Sequence, residues 1–278
     1  MRNICIFATT YSQEPMWTNV YTKKNEKRNC RKNPLEGLLC VLSCILFLSS
    51  CSEQYNISGD SSVTTLDGRM LYLKVANDNN MRNLDSCEVV HGKFNFMGMV
   101  DSTVMGEIYM DNEGMMPIVV ENGNVSIMIN NTEQKVVGGP LNNRLYCFLE
   151  AKSRIEDEIM NLSNEEAEMI LAGVDPRKAH LKLAKQTNQL YNELETLETK
   201  FISTNSNNIL GFNFFMMLCS QYPYPIMTPQ IEKIVKGASK TFRNQAFVQN
   251  YLQAAKANMK LLENQKRDQI QQARNDHP

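Results

Sequence analysis

Residues 117–129 read PIVVENGNVSIMI: an apolar run, a polar step at Asn122-Gly123, then Val125, Ile127 and Ile129 alternating with Ser126 and Met128. Asn-Gly between two such runs is a strong hairpin signal, because both residues accept positive φ. The same grammar extends upstream. LDGRMLYLKV (66–75) places an Asp67-Gly68 turn before a strand, CEVVHGKFNFMG (87–98) pairs two runs around His91-Gly92, and EIYMDNEGMMPIVV (107–120) turns between Asp111 and Gly114. Consecutive hairpins predict an antiparallel meander of about seven or eight strands between Tyr55 and Val137, closed as a small sandwich or open barrel.

At Gly138-Gly139-Pro140 the period changes. Leu145, Phe148, Ile155, Ile159 and Leu162 recur at steps of three and four, which predicts an amphipathic helix over 141–162. Ser163-Asn-Glu-Glu166 has capping-box spacing for a short second helix, and Asp175-Pro176 opens a long third one. Along the third, Leu183, Leu190 and Leu197 interleave with Thr187, Leu194 and Phe201 as the stripe of a bundle core. ILGFNFFMMLCS (209–220) is apolar nearly all round and reads as a buried helix too short to cross a membrane. QYPYPIMTPQ (221–230) is a connection, with Thr228-Pro229 starting the next helix. A last helix begins near Gln245 with Phe247, Tyr251, Ala255, Met259 and Leu262 on one face; beyond it the apolar face is lost and the tail is expected to fray. The fold class is therefore α+β, an antiparallel β-sandwich or open barrel followed by an α-helical domain.

The chain's 278 residues are 42% hydrophobic and 21% charged, an ordinary globular composition. Residues 1–50 hold seven Lys or Arg and three Glu, leaving 22 basic and 27 acidic residues in the remainder, a net of −5. A mildly acidic body without a basic stripe excludes nucleic acid as an expected partner.

The leader has its own logic. Basic residues from Lys23 to Lys32 precede the twelve-residue run Gly37–Leu48, and small residues follow. This is the layout of a secretory signal, whose core spans about 18 Å as a helix against a hydrocarbon layer of about 30 Å. Leu48-Ser49-Ser50-Cys51 resembles the lipobox of bacterial lipoproteins, which makes Cys51 the expected lipidation site and the first mature residue. The competing reading is an ordinary signal peptide whose cleavage site adjoins a cysteine. The long leader also makes Met16 a second candidate start. Several acyl chains on one cysteine give stable attachment with no transmembrane helix, since each buried methylene contributes about 0.8 kcal/mol. Ser52 after the cysteine resembles outer-membrane sorting. The expected division is a signal peptide at 1–50, a lipidated tether at 51–54, a β domain at 55–139 and a helical domain at 140–278.

Chemistry-bearing residues are sparse. Of eight cysteines, Cys87, Cys147 and Cys219 follow Cys51, and none forms a C-x-x-C pair. All three read as buried structural thiols. Of the histidines, His91 falls in a hairpin turn, His180 stands alone on a helix and His277 lies in the tail. No H-E-x-x-H, G-x-S-x-G, Walker loop or EF-hand is present. Gly138-Gly139-Pro140 leads into a helix whose first amides could bind an anion, against a plain strand-to-helix junction. Met97, Met99, Met105, Met110, Met115 and Met116 read either as core filler or as an adaptable binding face. No catalytic, cofactor-binding or metal-binding residue is expected.

LDSCEVVHGKFNF (84–96), IVVENGNVSI (118–127) and above all VGGPLNNRLYCF (137–148) give residues 55 to about 150 a resemblance to the uncharacterised N-terminal domain DUF4369 of bacterial envelope lipoproteins. NSNNILGFNFF (205–215) is similar to the helical linker of the same proteins. In many of them, the resemblance implies, a thioredoxin-like domain with paired cysteines follows, and this chain ends where that domain would begin. The expectation is a lipid-anchored, non-catalytic binding or assembly module whose partners are the membrane, through its anchor, and an envelope protein or glycan. The alternative is an accessory or truncated relative of a periplasmic thiol-disulfide oxidoreductase.

Overall fold

The computed structural model describes residues 53–77 and 80–275. The leader, Cys51 and His277, on which the anchoring and tail expectations fall, lie outside them. Eight strands are described: β1 (Glu53–Ser61), β2 (Met70–Asn77), β3 (Asn80–Glu88), β4 (Lys93–Val100), β5 (Val104–Met110), β6 (Glu113–Val120), β7 (Gly123–Ile129) and β8 (Gln134–Val137). They form two four-stranded sheets, ordered β4-β1-β7-β8 and β3-β2-β5-β6. The β1–β4, β2–β3, β2–β5 and β5–β6 ladders are antiparallel. The α+β class and the strand count are as expected; the meander is not.

Two of the turns read as hairpins instead carry the chain from one sheet to the other. At Asn122-Gly123 only the glycine takes positive φ, 106°, and β6 and β7 belong to different sheets. At His91-Gly92 both residues do, at 51° and 74°, and Val90 and Lys93 exchange backbone bonds of 2.9 and 3.0 Å around them. Those are the dihedral signs of a type I′ turn. Yet β3 and β4 then part, β3 pairing with β2 and β4 with β1. A local turn signal fixes where the chain reverses. Side-chain volume and edge capping decide which strands then pair.

Volume governs the β1–β4 ladder. Gly59 faces Phe94, Ile57 faces Phe96 and Tyr55 faces Gly98, so glycine and aromatic exchange sides between the outer two rungs. A Cβ on Gly59 would lie 2.0 Å from the Phe94 ring, and one on Gly98 would lie 2.7 Å from the Tyr55 hydroxyl. Here the glycines are needed for close approach by a ring rather than for a turn. Tyr55, Ile57, Phe94 and Phe96 are buried, as are Leu71, Leu73, Val75, Ile108, Met116 and Ile118 of the other sheet.

The chain divides into two compact units. The first takes the described residues up to Asn124 plus Ile129–Glu133, and the second takes Val125–Met128 and everything from Gln134. In the second unit lie the described helices: α1 (Pro140–Leu171), α2 (Pro176–Thr204), α3 (Ile209–Ser220), α4 (Pro229–Gly237), α5 (Lys240–Arg243) and α6 (Ala246–Asn275). No break occurs at Ser163. Its hydroxyl donates to Ile159 O at 3.1 Å inside a continuous helix, so the capping-box pattern yields to an unbroken seam. That seam joins Ile155 and Leu162 of α1 to Leu183 and Leu190 of α2, flanked by Ile159, Met169, Leu194 and Leu197.

Between the two helices Gly173 takes φ 88°, Val174 N donates to Met169 O at 3.0 Å, and Asp175 accepts from Lys178 N at 3.2 Å as the expected N-cap. At the other end of the pair Phe148 and Phe201 stack at 3.9 Å, and Phe214 of α3 meets both edge-on at 5.1 Å. The helical conformation of α6 runs on past the point where its apolar face ends. It continues to Asn275 with almost all of its described side chains exposed from Leu261 onward.

Gly59→Ala is expected to destabilise the β unit by about 1–3 kcal/mol, because the added methyl cannot be accommodated without moving the Phe94 ring. A lowered urea midpoint with unchanged slope is the expected readout.

Candidate functional site

Two of the four segments that carried the family resemblance meet in space. Arg144, from VGGPLNNRLYCF, donates to the Asn205 side chain at 3.5 Å, and Asn205 belongs to NSNNILGFNFF. Asn205 is buried; its Nδ2 donates to Phe201 O at 2.9 Å and its Oδ1 accepts from Asn208 Nδ2 at 2.9 Å. Asn208 in turn caps α3 by accepting from Leu210 N at 3.0 Å. Gly211 lets that turn close, since a Cβ there would stand 2.4 Å from Asn205 O. Ser239 donates twice to Ser206, from its N to Oγ at 3.0 Å and from its Oγ to the main-chain O at 2.8 Å, tying the start of α5 to the same junction. These residues saturate one another. Their pattern is that of a joint holding α1, α2, α3 and α5 in place around the buried Asn205.

The Gly138-Gly139-Pro140 junction behaves likewise. Gly138 and Gly139 take φ of 102° and 72°, and Asn143 Oδ1 accepts from Gly138 N at 3.0 Å. The Asn143 side chain, in the first turn of α1, is spent on its own loop, which matches a strand-to-helix junction.

The thiols are dispersed. Cys219 is buried on α3, and burial pushes it up to about 12 despite a bond to the Tyr251 hydroxyl. Cys87, half-buried on β3, is pushed up to about 11 by burial, with a smaller contribution from Asp85. Cys147 corrects the expectation of three buried thiols, for it is exposed. Helix geometry explains the difference: Leu145 and Phe148 face the core of α1, and a residue between them at 100° per step points outward. His180 Nδ1 lies 3.3 Å from Glu166 Oε1 across the α1–α2 seam, a pairing no sequence spacing revealed.

On the β3-β2-β5-β6 sheet, Lys74 and Glu107 stand opposite one another, as do Tyr72 and Tyr109. The Lys74 ammonium lies 4.3 Å from the Tyr109 ring centre and 5.9 Å from that of Tyr72, a cation over two aromatic faces. Glu107 is buried and accepts from the Tyr109 hydroxyl, in space kept open by Gly114, where a Cβ would stand 2.1 Å from Glu107 Oε1. Burial raises the Glu107 carboxyl, with Tyr109 and Lys74 acting against it. Tyr109 is itself raised to about 12, first by burial and then by Glu107. Two cross-strand pairs and the Glu107–Tyr109 bond within β5 make up the cluster.

A cleft of about 280 Å³ opens at one end of the β unit, lined by Val75, Arg82, Leu84, Val100, Asp101 and Val104 among others. It lies at the end where β3 begins and β4 finishes, away from the His91-Gly92 turn. Met81 and Met99, 43% and 70% exposed, are at this end. The six methionines singled out from sequence therefore divide: Met97 and Met99 are exposed, Met116 is core, and Met105, Met110 and Met115 are partly buried. Among the described residues no group of three or more His, Cys, Asp or Glu side chains could hold a metal ion, and no helix is long and apolar enough to cross a membrane.

The architecture is an antiparallel two-sheet β unit followed by helices. Residues 55–145, from β1 into the second turn of α1, match the family model of a domain of unknown function, DUF4369. No curated protein matches the chain.

Two outcomes follow from the shifted groups. Iodoacetamide at pH 8 is expected to label Cys147 rapidly in the native protein and Cys87 and Cys219 only after denaturation, since a thiol raised to about 11 is roughly one-thousandth thiolate at that pH. Glu107, with its folded value raised, contributes stability that is full below the ordinary glutamate value and is lost as pH rises through the raised one. Glu107→Gln removes that loss, so the variant's stability should change less than the parent's across this window in pH-resolved urea melts.

Proposed function

We propose that the protein is a lipid-anchored binding or assembly module of the bacterial cell envelope, held in the outer membrane through Cys51 and performing no catalysis of its own. The observation that carries the reading is the run from the basic flank through the apolar core to Leu48-Ser49-Ser50-Cys51, with β1 starting at Glu53. Acyl chains on the Cys51 sulfur supply the anchor, and the partner is an envelope protein or a glycan.

The non-catalytic part draws support from the thiols. Cys87 and Cys219 are held in the protonated, unreactive form, and Cys147 has no cysteine beside it in its helix with which to resolve a mixed disulfide. This weakens the accessory-oxidoreductase reading, which predicts a trappable mixed disulfide lost on serine substitution.

Cys51→Ser is expected to abolish incorporation of labelled palmitate and to move the protein from the membrane to the soluble fraction. Sedimentation of the serine variant with membranes, or the absence of label in the parent chain, overturns the anchor. Recovery of the parent in the inner-membrane fraction overturns the outer-membrane assignment alone.

A further inference from the structure

β1 begins two residues beyond Cys51, and two extended residues span at most about 7 Å. Its first residue, Glu53, pairs with Val100, which lines the open-ended cleft. The start of β1, two residues from the proposed anchor, is therefore beside that cleft. The same end of the unit carries the paired Asn77 of β2 and Asn80 of β3, and the segment Asp101–Thr103 between β4 and β5.

The lining fits one kind of surface. Val75, Leu84, Val100 and Val104 supply apolar walls, while Arg82 and Asp101 supply one charge of each sign. Met81 and Met99 add exposed thioethers that pack against irregular apolar matter. A guanidinium pairs with a phosphate in a fixed fork geometry, and a carboxylate pairs with an ammonium. Opposite charges in one cleft do not favour a purely anionic layer, which rewards clustered cations. They complement a headgroup that carries both signs.

We propose that this end of the β unit seats against the bilayer that holds its own anchor, and that the cleft takes a zwitterionic phospholipid headgroup, Arg82 at the phosphate and Asp101 at the amine. The inference rests on the lipid-anchor reading. Met81 and Met99 then dip into the interfacial layer, and the His91-Gly92 turn at the far end of β4 stays in water.

The test uses the full, acylated chain in phosphatidylethanolamine–phosphatidylcholine vesicles. The sequence's one tryptophan, Trp17, precedes Cys51, so a tryptophan introduced downstream is a lone reporter in the processed chain. Met81→Trp, Met99→Trp and Val90→Trp all fall at exposed positions, the last beside the distal turn. The expected result is a blue-shifted emission quenched by brominated lipid at positions 81 and 99, with neither effect at 90. Adding Arg82→Glu or Asp101→Lys should reduce the quenching at 99. Acylated protein whose reporters at 81 and 99 are quenched no more than the one at 90 overturns the seating while leaving the anchor intact. Absence of acylation overturns both. Stronger quenching in phosphatidylglycerol vesicles than in zwitterionic ones overturns the headgroup match.

Discussion

Asp85 stands where two strands would otherwise zip together. It lies on β3 opposite the buried Leu73 and accepts from Met97 N of β4 at 3.0 Å and from Ser86 N at 2.7 Å. A side-chain carboxylate thus satisfies a main-chain donor on the outer edge of β4 that a neighbouring strand would normally satisfy. Because β3 meets β4 with side chains rather than with a ladder, the chain makes two sheets instead of one. The buried rungs of Phe94 and Phe96 need a facing layer, and the parting of these strands supplies it. The opening between Arg82 and Leu84 on one strand and Val100 on the other lies at the far end of the same parting.

Much of the fold is legible in the sequence, because strand and helix periodicity are local. Asp67-Gly68, His91-Gly92 and Gly138-Gly139 each mark a real reversal or junction, and Asp175-Pro176 starts a helix as its chemistry requires. Pairing is less legible. Asn122-Gly123 is a good turn that joins strands of different sheets, since partner choice depends on which rung holds a ring and which a glycine, and those residues lie about forty positions apart in the β1–β4 ladder. Ser163 shows the converse. Its capping pattern is genuine locally, but the continuous leucine and isoleucine seam offers more burial than a break would recover.

The candidate sites were legible to a smaller degree. The expectation for Cys51 rests on the lipobox resemblance of the leader and falls outside the described residues. The cleft could not be read, because its walls come from four separate strands and a loop. The buried Glu107 is similarly invisible, since its acceptability depends on Gly114, Tyr109 and Lys74 arriving from other positions in the ladder. Cys147 was open to a closer reading, for a residue at that phase between Leu145 and Phe148 must point away from the core.

The terminal turns of α6 stand on intrinsic preference in place of burial. Val248, Tyr251 and Ala255 root the helix, and beyond Leu261 it is carried by Glu, Gln, Lys and Arg, all residues that form helices readily. An unburied helix of that kind opens residue by residue from its free end at little energetic cost. The thirty-residue element therefore holds a gradient of amide protection along its length, steep at its root and shallow at its tip, within one uninterrupted hydrogen-bonded ladder.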